Sequence, residues 1–367
     1  MNGNDKIVPI AFLVVSIGIF VATVYHFYGD QLIVPPDTAD APAVQDFDYT
    51  ATGTITFSAA HPEQSTQGVN VMGSYQINAT DPTAGYQALF PFSGINNMYF
   101  TTADLDQGFM IYGDEGRSDD LELQFGVAAF TVVDPDDPVF NVELLNAEGW
   151  YERQLAYSAE QQQLLYVTQQ NEVFELELFQ NLRNWQINLV SVDDPERQIV
   201  TNGIHPVWYR DTNSFFYIQQ DGIYFYNLEE DQSYQVAGVH EQLLERTDLE
   251  QYNLNNSLTI TPDGSMLLLT SPAENAIYFY QVTIADEEVK VEQTGVYQED
   301  IGVGHYSVVV SPDSRYFAAL QTTYAPPRFE QLESLQIVIG SIHDQVILHS
   351  IDVSDFAFET FFIDGWQ

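Results

Sequence analysis

The residues best suited to chemistry fall in five short segments: "GWYER" at 149–153, "GIHPVW" at 203–208, "YNLNNS" at 252–257, "GVGHYS" at 302–307 and "IDGW" at 363–366. Trp150, Tyr151, Arg153, His205, Asn255, His305, Tyr306 and Trp366 stand out in them. Aromatic rings beside Arg and Asn suit recognition, because they join apolar area to fixed hydrogen-bond donors. An imidazole titrates near neutrality, so His205 or His305 could also act as a general base in a lyase or hydrolase. The chain has no G-x-S-x-G, H-E-x-x-H, P-loop or dinucleotide fingerprint, so no catalytic residue is assigned. Its seven histidines are scattered, and the nearest pair along the chain, His343 and His349, reads as surface.

Three acidic runs could hold a cation: "DLDQG" at 104–108, "DEGRSDD" at 114–120 and "DPDDP" at 134–138. Calcium takes 6–8 oxygen ligands, and none of the three completes the spacing of a dedicated calcium loop. They read as solvated loops, no metal site is assigned, and calcium is the one cofactor left open. The runs belong to a strongly acidic chain, with 53 Asp+Glu against 10 Lys+Arg and a formal net charge of −43 over 367 residues. Such a field repels nucleic acid and anionic lipid heads and attracts cationic proteins. Acidic, lysine-poor surfaces also suit high salt, and composition alone leaves that alternative open. There is no cysteine, which removes disulfides and thiolate chemistry.

The elements that must position these segments come from a repeat. "LTITPDGSMLLLT" at 258–270 returns as "SVVVSPDSRYFAAL" at 307–320, and weaker copies lie at 154–167 and 205–218. The acidic turn residues Glu160, Asp211, Asp263 and Asp313 are 51, 52 and 50 residues apart. A fixed period of this length marks a repeat architecture. Each copy continues into further alternating or aromatic runs, giving about four strands per unit, the content of a propeller blade. Pro-Asp-Gly supplies the turn: Pro presets φ, Asp bonds back to the backbone, and Gly takes φ > 0.

"TPDG" at 261–264, "SPDS" at 311–314 and the variant "WYRD" at 208–211 resemble the W-S-P-D-G core of TolB-like (WD40-like, PD40) propeller repeats. The resemblance covers roughly residues 149–367 and implies an all-β propeller, while leaving function open. Residues 48–148 are β-rich but irregular. "YQALFPFSGINNMYFTT" at 86–102 reads as a further first hairpin, with "GFMIYGDE" as the third strand. Trp366 at the C-terminus resembles Trp208, so residues 48–80 are expected to complete a blade begun by the last strand. The count is about six blades, with five or seven open, and a small separate N-terminal β-domain is the alternative. In this fold the five segments enter the first strands, and their aromatic, Arg and His residues would meet at one mouth of the channel.

Ile7 to Tyr28 forms a 22-residue run without Asp, Glu, Lys or Arg. As a helix it spans roughly 33 Å, enough for a ~30 Å hydrocarbon core. It is too long for the apolar stretch of a cleaved signal, so an uncleaved anchor is expected. Lys6 precedes it, and no Lys or Arg follows until Arg117. The positive-inside rule then puts residues 1–6 in the cytoplasm and the propeller outside, periplasmic or extracellular. Residues 29–47 have linker composition, with Pro35, Pro36 and Pro42. The expectation is a single-pass, membrane-anchored propeller that binds another protein, cationic or membrane-embedded, as a scaffold or accessory subunit of a membrane complex. The alternatives are an enzyme working at the channel mouth and a calcium-dependent binding module.

Overall fold

The computed structural model describes residues 49–60, 72–90, 95–101, 107–114, 124–132, 140–146, 151–169, 181–191, 198–239, 256–285, 288–325, 331–358 and 361–367. The expected anchor and linker lie outside these residues, as do most of the three acidic runs. Among the described residues no helix is long and apolar enough to cross a membrane.

The chain is an all-β propeller. Five blades are each built from four strands consecutive in the chain. They comprise β4 (Ile95–Thr101), β5 (Gln107–Asp114), β6 (Gln124–Val132) and β7 (Phe140–Asn146); β8 (Tyr151–Ser158), β9 (Gln163–Gln169), β10 (Trp185–Ser191) and β11 (Gln198–Asn202); β12 (Ile204–Trp208), β13 (Ser214–Gln219), β14 (Gly222–Asn227) and β15 (Gln232–Gln235); β16 (Ser257–Ile260), β17 (Met266–Ser271), β18 (Ala276–Ala285) and β19 (Glu288–Gln298); and β20 (Val303–Val310), β21 (Tyr316–Tyr324), β22 (Leu332–Ser341) and β23 (Val346–Asp352). The ring is closed by a composite four-stranded sheet. In it the last strand, β24 (Phe362–Trp366), precedes β1 (Thr54–Ala60), β2 (Met72–Asn78) and β3 (Tyr86–Phe90). The first strands touch in a closed circuit, β24 to β4, β8, β12, β16, β20 and back to β24.

One segment differs from the sequence reading. Tyr86–Phe90 is the outer strand of the closing sheet, with Gln87 opposite Gln76. The first hairpin of the next blade is Ile95–Thr101 with Gln107–Asp114, so "GFMIYG" is a second strand. Closure explains the offset: β24 and β1 need two further strands to complete a sheet, and the chain supplies them before a new blade starts. A short 3-10 turn at Pro82–Ala84 and Gly85, at φ +78°, reverse the chain into β3.

The second strand of a blade lies between two neighbours and is covered on both faces. It therefore reads as a continuous apolar run, without period-two alternation. Phe215, Phe216, Tyr217 and Ile218 are fully buried, as are Leu267, Leu268 and Leu269. The outer strand β19 alternates instead, with Val289 and Val291 buried between exposed residues. The repeat turns follow their chemistry. Asp263 Oδ1 accepts from Thr261 Oγ1 at 2.6 Å and Ser265 N at 2.9 Å, while Gly264 takes φ +70°. Asp313 repeats this with Ser311 Oγ at 2.6 Å and Arg315 N at 3.1 Å, and Ser314 takes φ +62°.

These turns meet on one face. Gln161 Nε2 donates to the Asp211 carbonyl at 3.4 Å, and Asp263 N donates to Ser314 Oγ at 3.3 Å. Arg210 and Tyr209 crowd Gly264 so closely that a Cβ there would sit 2.3 Å from Arg210 Nε. Arg315 Nη1 carries the row to Thr50 Oγ1 at 3.0 Å, just ahead of β1.

Trp366 locks the closing sheet. It is buried, stacks with Tyr316 at 6.5 Å and donates its Nε1 proton to the Thr52 carbonyl at 2.9 Å. Trp366→Ala is expected to destabilise the protein by about 3–5 kcal/mol through cavity and transfer losses. Urea unfolding followed by circular dichroism measures the shift.

Candidate functional site at the inner ring

The first strands share a local device. β8, β12 and β20 each carry a bulge, between Arg153 and Ala156, Ile204 and Val207, and Tyr306 and Val309. Gln154, His205 and Ser307 sit in these bulges with φ of 54°, 51° and 51°. A bulge takes backbone groups out of the ladder, and buried N–H groups need other acceptors. Neighbouring inner strands supply them. Gln154 Oε1 accepts from His205 N at 2.7 Å, Ser257 Oγ from Val308 N at 2.8 Å, and Ser307 Oγ from Ile363 N at 3.0 Å.

The expected rim residues take separate places on this ring. His205 is half-buried, and its Nε2 lies 2.8 Å from Gln154 Nε2. The amide can only donate there, so it holds the neutral imidazole protonated at Nδ1. Tyr151 and Arg153 lie on the same strand as Gln154, opposite Gln169 and Val167 in register. Trp150 and Asn255 lie outside the described residues; Asn256, next to Asn255, is buried, and its amide donates to the Thr270 carbonyl at 2.9 Å. Tyr306 is half-buried on β20, edge-on to Phe358 at 5.0 Å. Trp366 belongs to the closure just described.

His305 is 0% exposed, edge-on to Tyr297 at 5.5 Å, and neither ring nitrogen has a hydrogen-bond partner. Burial lowers its pKa to about 4. In this position it packs inside the fold and cannot meet a solvent-borne substrate. Tyr297 beside it donates to Glu299, and burial with that carboxylate raises the phenol.

The sequence reading missed Gln154, Ser307 and Asp364. Asp364 is the bulged residue of β24, between Ile363, opposite Phe57, and Gly365, opposite Thr56. Its carboxyl accepts from Ser58 Oγ at 2.7 Å. Burial holds this acid well above the ordinary carboxylate range, and the serine only partly offsets the shift. A signal for the first two was present: Gln154, His205, Asn256 and Ser307 are each 51 residues apart, the period already seen in the turns. Among the described residues no group of three or more His, Asp or Glu is placed to hold a metal ion.

No protein-family model matches the chain, and no curated protein matches it. Solved structures do. TolB from Acinetobacter baumannii superposes with a TM-score of 0.54 at 12% identity, covering 86% of this chain and 66% of that one. The fold is that of the TolB-like β-propellers. The chain spans just under two thirds of that TolB's length. The periplasmic gluconolactonase of Pseudomonas aeruginosa is also similar, with a TM-score of 0.48 at 11% identity over 83% of this chain and 98% of that one. Identities this low carry the fold and not the activity.

His305 sets a pH dependence. Its folded pKa, about 4, lies below the 6.5 of a free imidazole, so the unfolded chain binds its proton first as pH falls. The stability from this buried neutral ring is complete above pH ~6.5 and is lost towards pH 4, by about 3 kcal/mol. Melting curves from pH 7 to 4 should show a fall that is smaller in His305→Phe.

Proposed function

We propose that this protein is a membrane-anchored, extracytoplasmic propeller that docks a cationic protein partner, as a scaffold or accessory subunit of a membrane complex. The observation that supports it most is the face formed by the repeat turns. Glu160, Asp211, Asp263 and Asp313 are exposed on successive blades whose turns touch one another. Arg210 and Arg315 lie in the same row, each over its neighbouring tyrosine ring. Four carboxylates against two guanidinium groups leave the row negative, in a chain with net charge −43. Among the described residues a single ion pair is present, Lys290 with Glu288 at 2.8 Å. The apolar run at 7–28 supports the anchor, and Lys6 before it supports an outward-facing propeller.

The full chain should stay with membranes through carbonate and high-salt washing, whereas a chain starting near Asp46 should be soluble. Its partner should co-purify at fixed stoichiometry and dissociate as the screening length shortens from about 8 Å at 0.15 M salt to about 3 Å at 1 M. Glu160→Gln with Asp211→Asn should weaken the complex without lowering the melting temperature. Stability that climbs steadily to molar salt, with no salt-released partner, would instead make the acidity a salt adaptation.

A further inference from the structure

The closing sheet has two unlike faces. On one, Ile55, Phe57, Tyr75, Ile77 and Tyr86 pack into the apolar cluster shared with β21 and β22. The other carries Thr54, Thr56 and Ser58 on β1, Ser74, Gln76 and Asn78 on β2, and Gln87 on β3; the register sets Thr54 opposite Asn78, Thr56 opposite Gln76, Ser58 opposite Ser74, and Gln76 opposite Gln87. Both β1 and β2 touch β4, the first strand of the next blade.

A cavity of about 450 Å³ opens on this polar face, lined by Thr54, Gln76, Asn78, Asp81, Gly85 and Gln87 among others. The space over Gly85 is clear: a Cβ there would meet no atom within 4 Å. One water needs about 30 Å³, whereas this volume lies in the range of small-molecule sites, roughly 300–1,000 Å³.

We propose that this polar face binds a neutral, hydroxyl-rich ligand of the carbohydrate or polyol class. Amide side chains both donate and accept, as sugar hydroxyls do, and Gln76, Asn78 and Gln87 present three of them together. Asn78 Oδ1 already accepts from Thr80 N at 2.9 Å, which leaves its NH₂ to donate. The named lining has no Lys or Arg, and the net charge of −43 disfavours an anion. Asp81 is its one carboxylate and holds the Thr83 hydroxyl at 2.7 Å, far short of the oxygen set a calcium ion takes.

The test is saturation-transfer NMR on the full chain in lipid nanodiscs, avoiding glycoside detergents, with myo-inositol, D-glucose and maltose as probes. Transfer to at least one probe is expected, with affinity cut about tenfold by Gln87→Ala, the loss of one good hydrogen bond. Gln76→Ala should act alike, and Glu229→Gln, on another blade, should leave binding unchanged. Gln87 is exposed, so its variant reports even if Gln76→Ala fails to fold. Transfer to none of the probes, binding unaltered by Gln87→Ala, or a thermal shift with Ca²⁺ alone would overturn the proposal.

Discussion

Everything in this fold depends on closing a ring of inner strands, and the last five-residue strand does it. β24 pairs with β1 across some 300 residues of chain, with Ile55 opposite Trp366 and Thr54 bonded in both directions to Gln367. Without that pairing β1 would present a bare edge, and the circuit of first strands would be open. The bulges make the ring cooperative. Gln154, His205 and Ser307 hold left-handed backbone at a cost of order 1–3 kcal/mol each, and at the His205 and Ser307 bulges a neighbouring inner strand accepts the freed N–H of His205 and of Val308.

The same constraint sorts the side chains. Blades wedge together through apolar clusters wherever both faces are described as apolar, as between β17, β18 and β21, where Phe279 meets Phe317 at 5.6 Å. The closing sheet breaks that habit on one side only, with Ser58, Ser74 and the half-buried Asp364 on or against its polar face. Charge is arranged separately. It lies at the turns and outer strands, whereas the interior holds His305 as the neutral ring.

Much of the fold was legible because turn chemistry repeats with the blade. The Pro-Asp turns at 261–264 and 311–314 exposed the period, and doubly covered middle strands wrote themselves as apolar runs such as "FFYI" and "MLLLT". Trp366 betrayed the closure because it resembles Trp208, and both indoles donate to a carbonyl, Trp366 to Thr52 beside its own sheet partner β1 and Trp208 to Ala156 on the inner strand of the adjacent blade. The strand at 86–90 was misplaced because an apolar run reads the same as an outer or a first strand, and only pairing decides. The site was less legible. His205 and His305 look equivalent in sequence, yet one ring is held by Gln154 and the other is sealed beside Tyr297. Period alone does not say which way an inner-strand residue turns at a bulge.

β24 is an integral part of the ring and not a loosely attached tail. Native-state hydrogen exchange resolves this by segment, since local opening and global unfolding have different free energies. Amides of residues 54–58 and 362–367 are expected to exchange with the same free energy, and the same denaturant dependence, as inner-strand amides of residues 257–260. Exchange of 54–58 and 362–367 at much lower free energy, with the other inner strands still protected, would contradict it.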